Sequence, residues 1–88
     1  MARVDDERIY VPGTRFLFSM GLSRFHCGVV QSVDEKEIIL KDACWNFPES
    51  AIKILVTEGI FPKDTLFHPL IVIGRDHVTS AIPVQLQK

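Results

Sequence analysis

The sequence predicts a mainly β fold: one small, strongly bent antiparallel barrel of five short strands, with one short helix inserted between strands 3 and 4. Three observations carry this. Apolar residues recur at every second position around 16–20 and 25–33, the period of a half-buried strand, and an aliphatic run returns at 38–40 after a short charged turn. The spacing changes to i, i+3, i+4 at Ile52, Leu55 and Val56, the period of a helix. The chain has 88 residues, enough for one domain that buries about 60–65% of its unfolded surface. A sheet this short satisfies its edges by curling on itself or by pairing with a neighbour.

The elements follow in order. Residues 1–12 read as an N-terminal extension to a single domain spanning 1–88, and Asp5-Asp6-Glu7 is its acidic block. Phe16, Phe18 and Met20 give the first strand an apolar underside, and the loop from Ser19 to Arg24 turns the chain. In the second strand Phe25, Cys27, Val29 and Val33 fall on one side and His26 and Ser32 on the other. Asp34 to Glu37 is a charged connection to a third strand, Ile38 to Trp45. If Val33 faces Ile38, Cys27 faces Cys44, because antiparallel partners keep a constant index sum. Pro48 suits a first helical turn and Gly59 a helix end, so the helix spans 48–59. Leu70 to Ile73 forms a fourth strand, Gly74-Arg75-Asp76 breaks it, and His77 to Val84 forms the fifth.

Composition narrows the function without naming it. Ten Lys+Arg against eleven Asp+Glu give a formal charge of -1, so nucleic-acid binding has to come from a local patch. An apolar fraction of 47% is high for so small a domain and implies surface that meets a partner. No stretch reaches the roughly eighteen apolar residues of a spanning helix, and the acidic N-terminus is unlike a signal peptide. Two cysteines are too few for a disulfide framework, and both are expected as buried free thiols in a cytoplasmic protein.

Two segments resemble the Sm/LSm family, and especially its bacterial branch, Hfq. Gly28 to Ala43 resembles the first Sm motif: a glycine in a bent second strand, Asp34 six positions later, and an aliphatic third strand ending in Lys and a small residue. Leu70 to Pro83 resembles the second motif, two short strands meeting at a tight turn. Gly28 is then the structural hinge, since a mid-strand glycine lets a strand bend sharply and serve both halves of a curled Sm-like (SH3-like) barrel. Some positions depart from the pattern. Glu37 stands where the eukaryotic and archaeal motif has asparagine, Gly74-Arg75 reverses the Arg-Gly order, and of the bacterial Tyr-Lys-His only His77 is kept. A second resemblance, over residues 25–83, is to small proteins of phages and mobile elements with the same hairpin, helix and strand order.

The resemblance implies a homo-oligomeric ring, joined edge to edge through the fourth and fifth strands, that binds short single-stranded RNA. Its contacts would be Arg75 and His77 at one turn, with Asp34 and Lys36 at the other. The alternative is a phage or mobile-element accessory protein, acting in its bacterial host's cytoplasm, that binds a protein or a small nucleotide-like ligand. Bland readings compete at each site. Trp45, Phe47, Phe61 and Phe67 are expected in the core, which needs aromatic mass. Arg15 and Arg24 are ordinary surface cations, and Phe25 and His26 suit an interface. His26, Cys27, Cys44, His68 and His77 lack the ligand spacing of a zinc site, so no metal or cofactor is expected. The carboxylates lie in solvated runs with no phosphate loop or nucleophile elbow, so no enzyme is expected.

Overall fold

The computed structural model describes residues 10–21, 24–45 and 48–86. The described residues form five strands, β1 (Arg15–Ser19), β2 (Phe25–Val33), β3 (Glu37–Trp45), β4 (His68–Gly74) and β5 (Ser80–Pro83), with one α-helix, α1 (Glu49–Glu58), between β3 and β4. All pairings are antiparallel, in the order β4-β3-β2-β1-β5. The sheet is strongly bent but not closed, so β4 and β5 are its two edges. Among the described residues no helix is long and apolar enough to cross a membrane.

The bend is built into β2 and β3. Val33 pairs with Ile38 and Cys27 with Cys44, but the ladder between them is not regular. From Val30 to Ser32 β2 advances two residues while β3 moves one, from Leu40 to Ile39. From Cys27 to Val29 the imbalance reverses, with β3 carrying the extra residue between Cys44 and Lys41. Two bulges of opposite sense cancel, so the index sum at the cysteines returns to its starting value. Each bulge shifts the inside-outside alternation of its strand. Val33 therefore packs with Val30 rather than sharing the Cys27 face expected for it. Asp42, inside the β3 bulge, adopts φ 47°, a left-handed conformation that aspartate tolerates better than most residues. Its carbonyl accepts a bond from Arg15 Nη1 at 3.0 Å. Gly28 faces this bulge so closely that no side chain fits between the strands.

The sheet buries apolar residues on both sides. Inside the curl lie Phe16, Phe18, Val30, Ile38, Leu40, Ala43 and Ile73, with Met20 and Tyr10 packed against them. On the other side Leu17, Cys27, Cys44 and Val84 meet Leu55 of α1, with Phe25, Ile52 and Phe61 alongside. The alternation of β1 thus serves two cores. The helix covers the second one through a narrow stripe: Leu55 is fully buried, whereas Val56, expected on the apolar face, is exposed. Pro48 is the N-cap, and Gly59 ends the helix at φ 68° with its N–H bonded to the Leu55 carbonyl at 2.9 Å, the αL termination that glycine favours.

The expected fifth strand begins too early. Arg75–His77 form one turn of 3-10 helix, because the Val78 N–H closes on the Arg75 carbonyl at 3.2 Å. His77 therefore lies in the turn and β5 starts at Ser80. The expected core aromatics also divide. Phe61 is half-buried, but Trp45 and Phe67 are exposed; Phe47 lies outside the described residues.

Candidate nucleic-acid interface

The two motif segments converge at one end of the sheet. Asp34 opens the β2–β3 turn, and its Oδ1 accepts the Lys36 and Glu37 backbone N–H groups, each at 2.7 Å. Those two N–H bonds, Lys36 first, hold the Asp34 carboxyl below its ordinary range, since they favour the ionised form. Across the β3–β4 pairing, Glu37 sits opposite Gly74. The next residue, Arg75, donates its backbone N–H to the Lys36 carbonyl at 2.9 Å and its Nη1 to the Asp34 carbonyl at 2.8 Å. Its guanidinium also lies 6.0 Å from the centre of the Tyr10 ring, within cation–π range.

Arg75 is thus a buried clasp between the two turns, 7% exposed. His77, Lys36 and Asp34 are the exposed members of the expected set, although the Asp34 carboxylate is engaged by the backbone of its own turn. The His77 ring lies over Gly74, where an added Cβ would come within 2.7 Å of its Cδ2. All four expected contact residues are brought together, but they present different groups: Arg75 holds the frame, Asp34 shapes the turn, and Lys36 and His77 face solvent. Glu35, Glu37 and Asp76 are exposed around them. Carboxylates outnumber cations here, so the local charge is not positive.

The remaining candidates are structural or lie elsewhere. Arg15 is half-buried, bonded to the Asp42 carbonyl and placed 5.5 Å from the centre of the Phe61 ring. His26 has a buried Nδ1 with no hydrogen-bond partner among the described residues, and burial, followed by the nearby Arg24 charge, lowers its pKa. Burial also raises the two cysteines, Cys27 to about 11 and Cys44 to about 12. The Cys44 thiol points at the Cys27 carbonyl, 3.8 Å away. Among the described residues no cluster of His, Cys, Asp and Glu is arranged to hold a metal.

One grouping was not visible from the chain order. Trp45 stacks on His68 with ring centroids 4.2 Å apart and planes 19° from parallel, and His26 lies 6.1 Å from Trp45 on the other neighbouring strand. The signal for it was register, since these residues are far apart in sequence and share one face of three adjacent strands.

No family model matches the chain, and no curated protein matches it closely enough to be a relative. Solved structures do. A Sm protein of Pyrococcus abyssii, in complex with a uridine heptamer, superposes with a TM-score of 0.57 at 18% identity, covering 94% of this chain and 99% of that one. A chain of the NatC complex bound to CoA gives a TM-score of 0.56 at 13% identity, covering 92% of this chain and 84% of that one. A chain of the NatC complex bound to Gag peptide and CoA gives 0.54 at 14%, covering 81% and 82%. At these identities the similarity establishes a Sm-like fold.

Proposed function

We propose that this protein is a non-enzymatic, cytoplasmic Sm-like ring of identical subunits that binds short single-stranded RNA at the paired turns. The observation that carries the reading is the clasp itself: Arg75 ties the β4–β5 turn to the Asp34 turn, and Lys36 and His77 stand exposed beside it. The fold similarity to a Sm protein solved with a uridine heptamer supports the same ligand class. An imidazole beside an exposed ammonium suits the edge of an unstacked base, the form in which single-stranded RNA is usually read.

The edges support ring assembly. β4 and β5 end the sheet on opposite sides, and each exposes aliphatic residues, Leu70 and Val72 on one and Ile82 on the other. Pairing β4 of one copy with β5 of the next would cover both, and a head-to-tail contact of this kind closes into a ring when the rotation allows. Repetition would then multiply a weak single site.

Light scattering and titration of labelled oligo-U and oligo-A at two salt concentrations test the proposal. A discrete oligomer that binds oligo-U, with affinity lowered by His77→Ala and by Lys36→Ala, is the expected result. The salt dependence should be shallow, because few cations face the strand and each neutralised phosphate contributes a log–log slope of about 0.7. A monomer at micromolar concentration removes the ring. Absence of binding at low salt removes the RNA reading and leaves the alternative, an accessory protein of a phage or mobile element that binds a protein or a small nucleotide-like ligand.

A further inference from the structure

The aromatic row lies at the end of the sheet remote from the Arg75 clasp. Trp45 ends β3 and His68 begins β4, and their stacked rings open onto a cleft of about 400 Å³. Trp45 keeps 43% of its surface exposed despite the stack. Pro48, Pro62 and Leu66 line it with apolar surface, and Asp64 is its acidic residue. The Thr65 hydroxyl is already committed, donating to the Pro62 carbonyl at 2.6 Å.

A flat ring held by a second ring is a stacking platform, and its fixed orientation removes much of the ordering cost of binding. The cleft has room for one planar heterocycle. The carboxylate selects among such heterocycles, because its two oxygens accept a pair of adjacent N–H donors. Guanine presents such a pair, N1–H and the N2 amino group, on its Watson–Crick edge. Adenine and cytosine place a ring acceptor beside their amino group, and uracil flanks its one N–H with carbonyls. We propose that the Trp45–His68 cleft is a guanine-binding site, in which the base packs against the exposed side of the Trp45–His68 pair and the Asp64 carboxylate accepts its two edge donors. This site is separate from the paired turns and does not depend on their role.

Trp45 is the chain's one tryptophan, so intrinsic fluorescence of the full-length protein reads the site directly. GMP, AMP, CMP, UMP and choline are titrated separately, with correction for absorbance. GMP is expected to quench saturably, with half-saturation at least about tenfold below that of the other nucleotides, the discrimination of one bidentate base contact. Asp64→Asn should remove that preference, His68→Ala should weaken GMP, and a Lys36→Ala/His77→Ala double variant should leave it unchanged. Comparison of GMP with the trinucleotide UGU assigns the base to a free nucleotide if the two bind alike, and to a strand if UGU binds more tightly; either supports the site. No saturable change with GMP or UGU, equal response to all four nucleotides, a stronger response to choline, or a preference retained by Asp64→Asn overturns it. Oligo-U binding at the turns is read by other variants, so either site can fail alone.

Discussion

Gly28 and Ala43 approach so closely that a Cβ on Gly28 would stand 2.7 Å from the Ala43 Cβ, with the Leu40 Cβ at 3.0 Å. The crease of the sheet is a place where two backbones meet without an intervening side chain. Gly28→Ala should therefore destabilise the fold by about 1–3 kcal/mol, the usual cost of overpacking. Ala43→Gly should return part of the loss, so that the double variant is more stable than the sum of the singles predicts. Urea denaturation of the four proteins measures this coupling, and strict additivity would show that the contact is not what requires glycine.

Stability and RNA contact should separate at the paired turns. Arg75→Ala removes a buried charged donor from the Asp34 carbonyl, and should cost about 1.5–3 kcal/mol, the range for hydrogen bonds to charged groups. His77→Ala and Lys36→Ala, both at exposed positions, should change stability by no more than about 0.5 kcal/mol while lowering oligo-U affinity. Thermal melts run beside the binding titrations distinguish the two classes of residue.

The helix is held by a narrow contact. Leu55 is fully buried against the second core while its neighbour Ile54 is 44% exposed. Leu55→Ala should lose about 2–5 kcal/mol through transfer and cavity terms. Ile54→Ala should lie within about 0.5 kcal/mol of the parent. Equal effects in chemical denaturation would mean that the helix is not anchored through Leu55.

The facing cysteines should be silent toward thiol reagents near neutral pH, because the reactive species is the thiolate and both pKa values are raised, to about 11 and about 12. Labelling with a colorimetric disulfide reagent should be slow until denaturant is added. The sign of the pH effect follows from linkage. A raised folded pKa means that the stability is present below the unfolded value of 9.0 and is lost as pH climbs toward the folded values. Melting temperature should fall between about pH 9 and pH 12, and a Cys27→Ala/Cys44→Ala variant should show less of that decline.

Much of the frame was legible in the chain. The period-two stretches placed β1 and β2, the aliphatic run after the charged turn placed β3, the single change of period placed α1, and Pro48 and Gly59 marked its ends because each has a backbone preference that acts locally. The facing of Cys27 and Cys44 also followed, although by way of two bulges that cancel. Periodicity cannot reveal a bulge, since the extra residue changes the face of everything beyond it while leaving composition untouched. For that reason the placement of Val33 was missed.

What the sequence determined is the kind and order of the elements and the glycine at the crease, because propensity, turn chemistry and alternation are properties of neighbouring residues. What only the tertiary structure decided is which distant residues share a place. Arg75 became a clasp because β4 delivers it beside the Lys36 and Asp34 carbonyls. Trp45 became half of a stacked pair because β4 begins with His68 beside the end of β3. Both outcomes rest on register across strands, which long-range packing sets and no local pattern encodes.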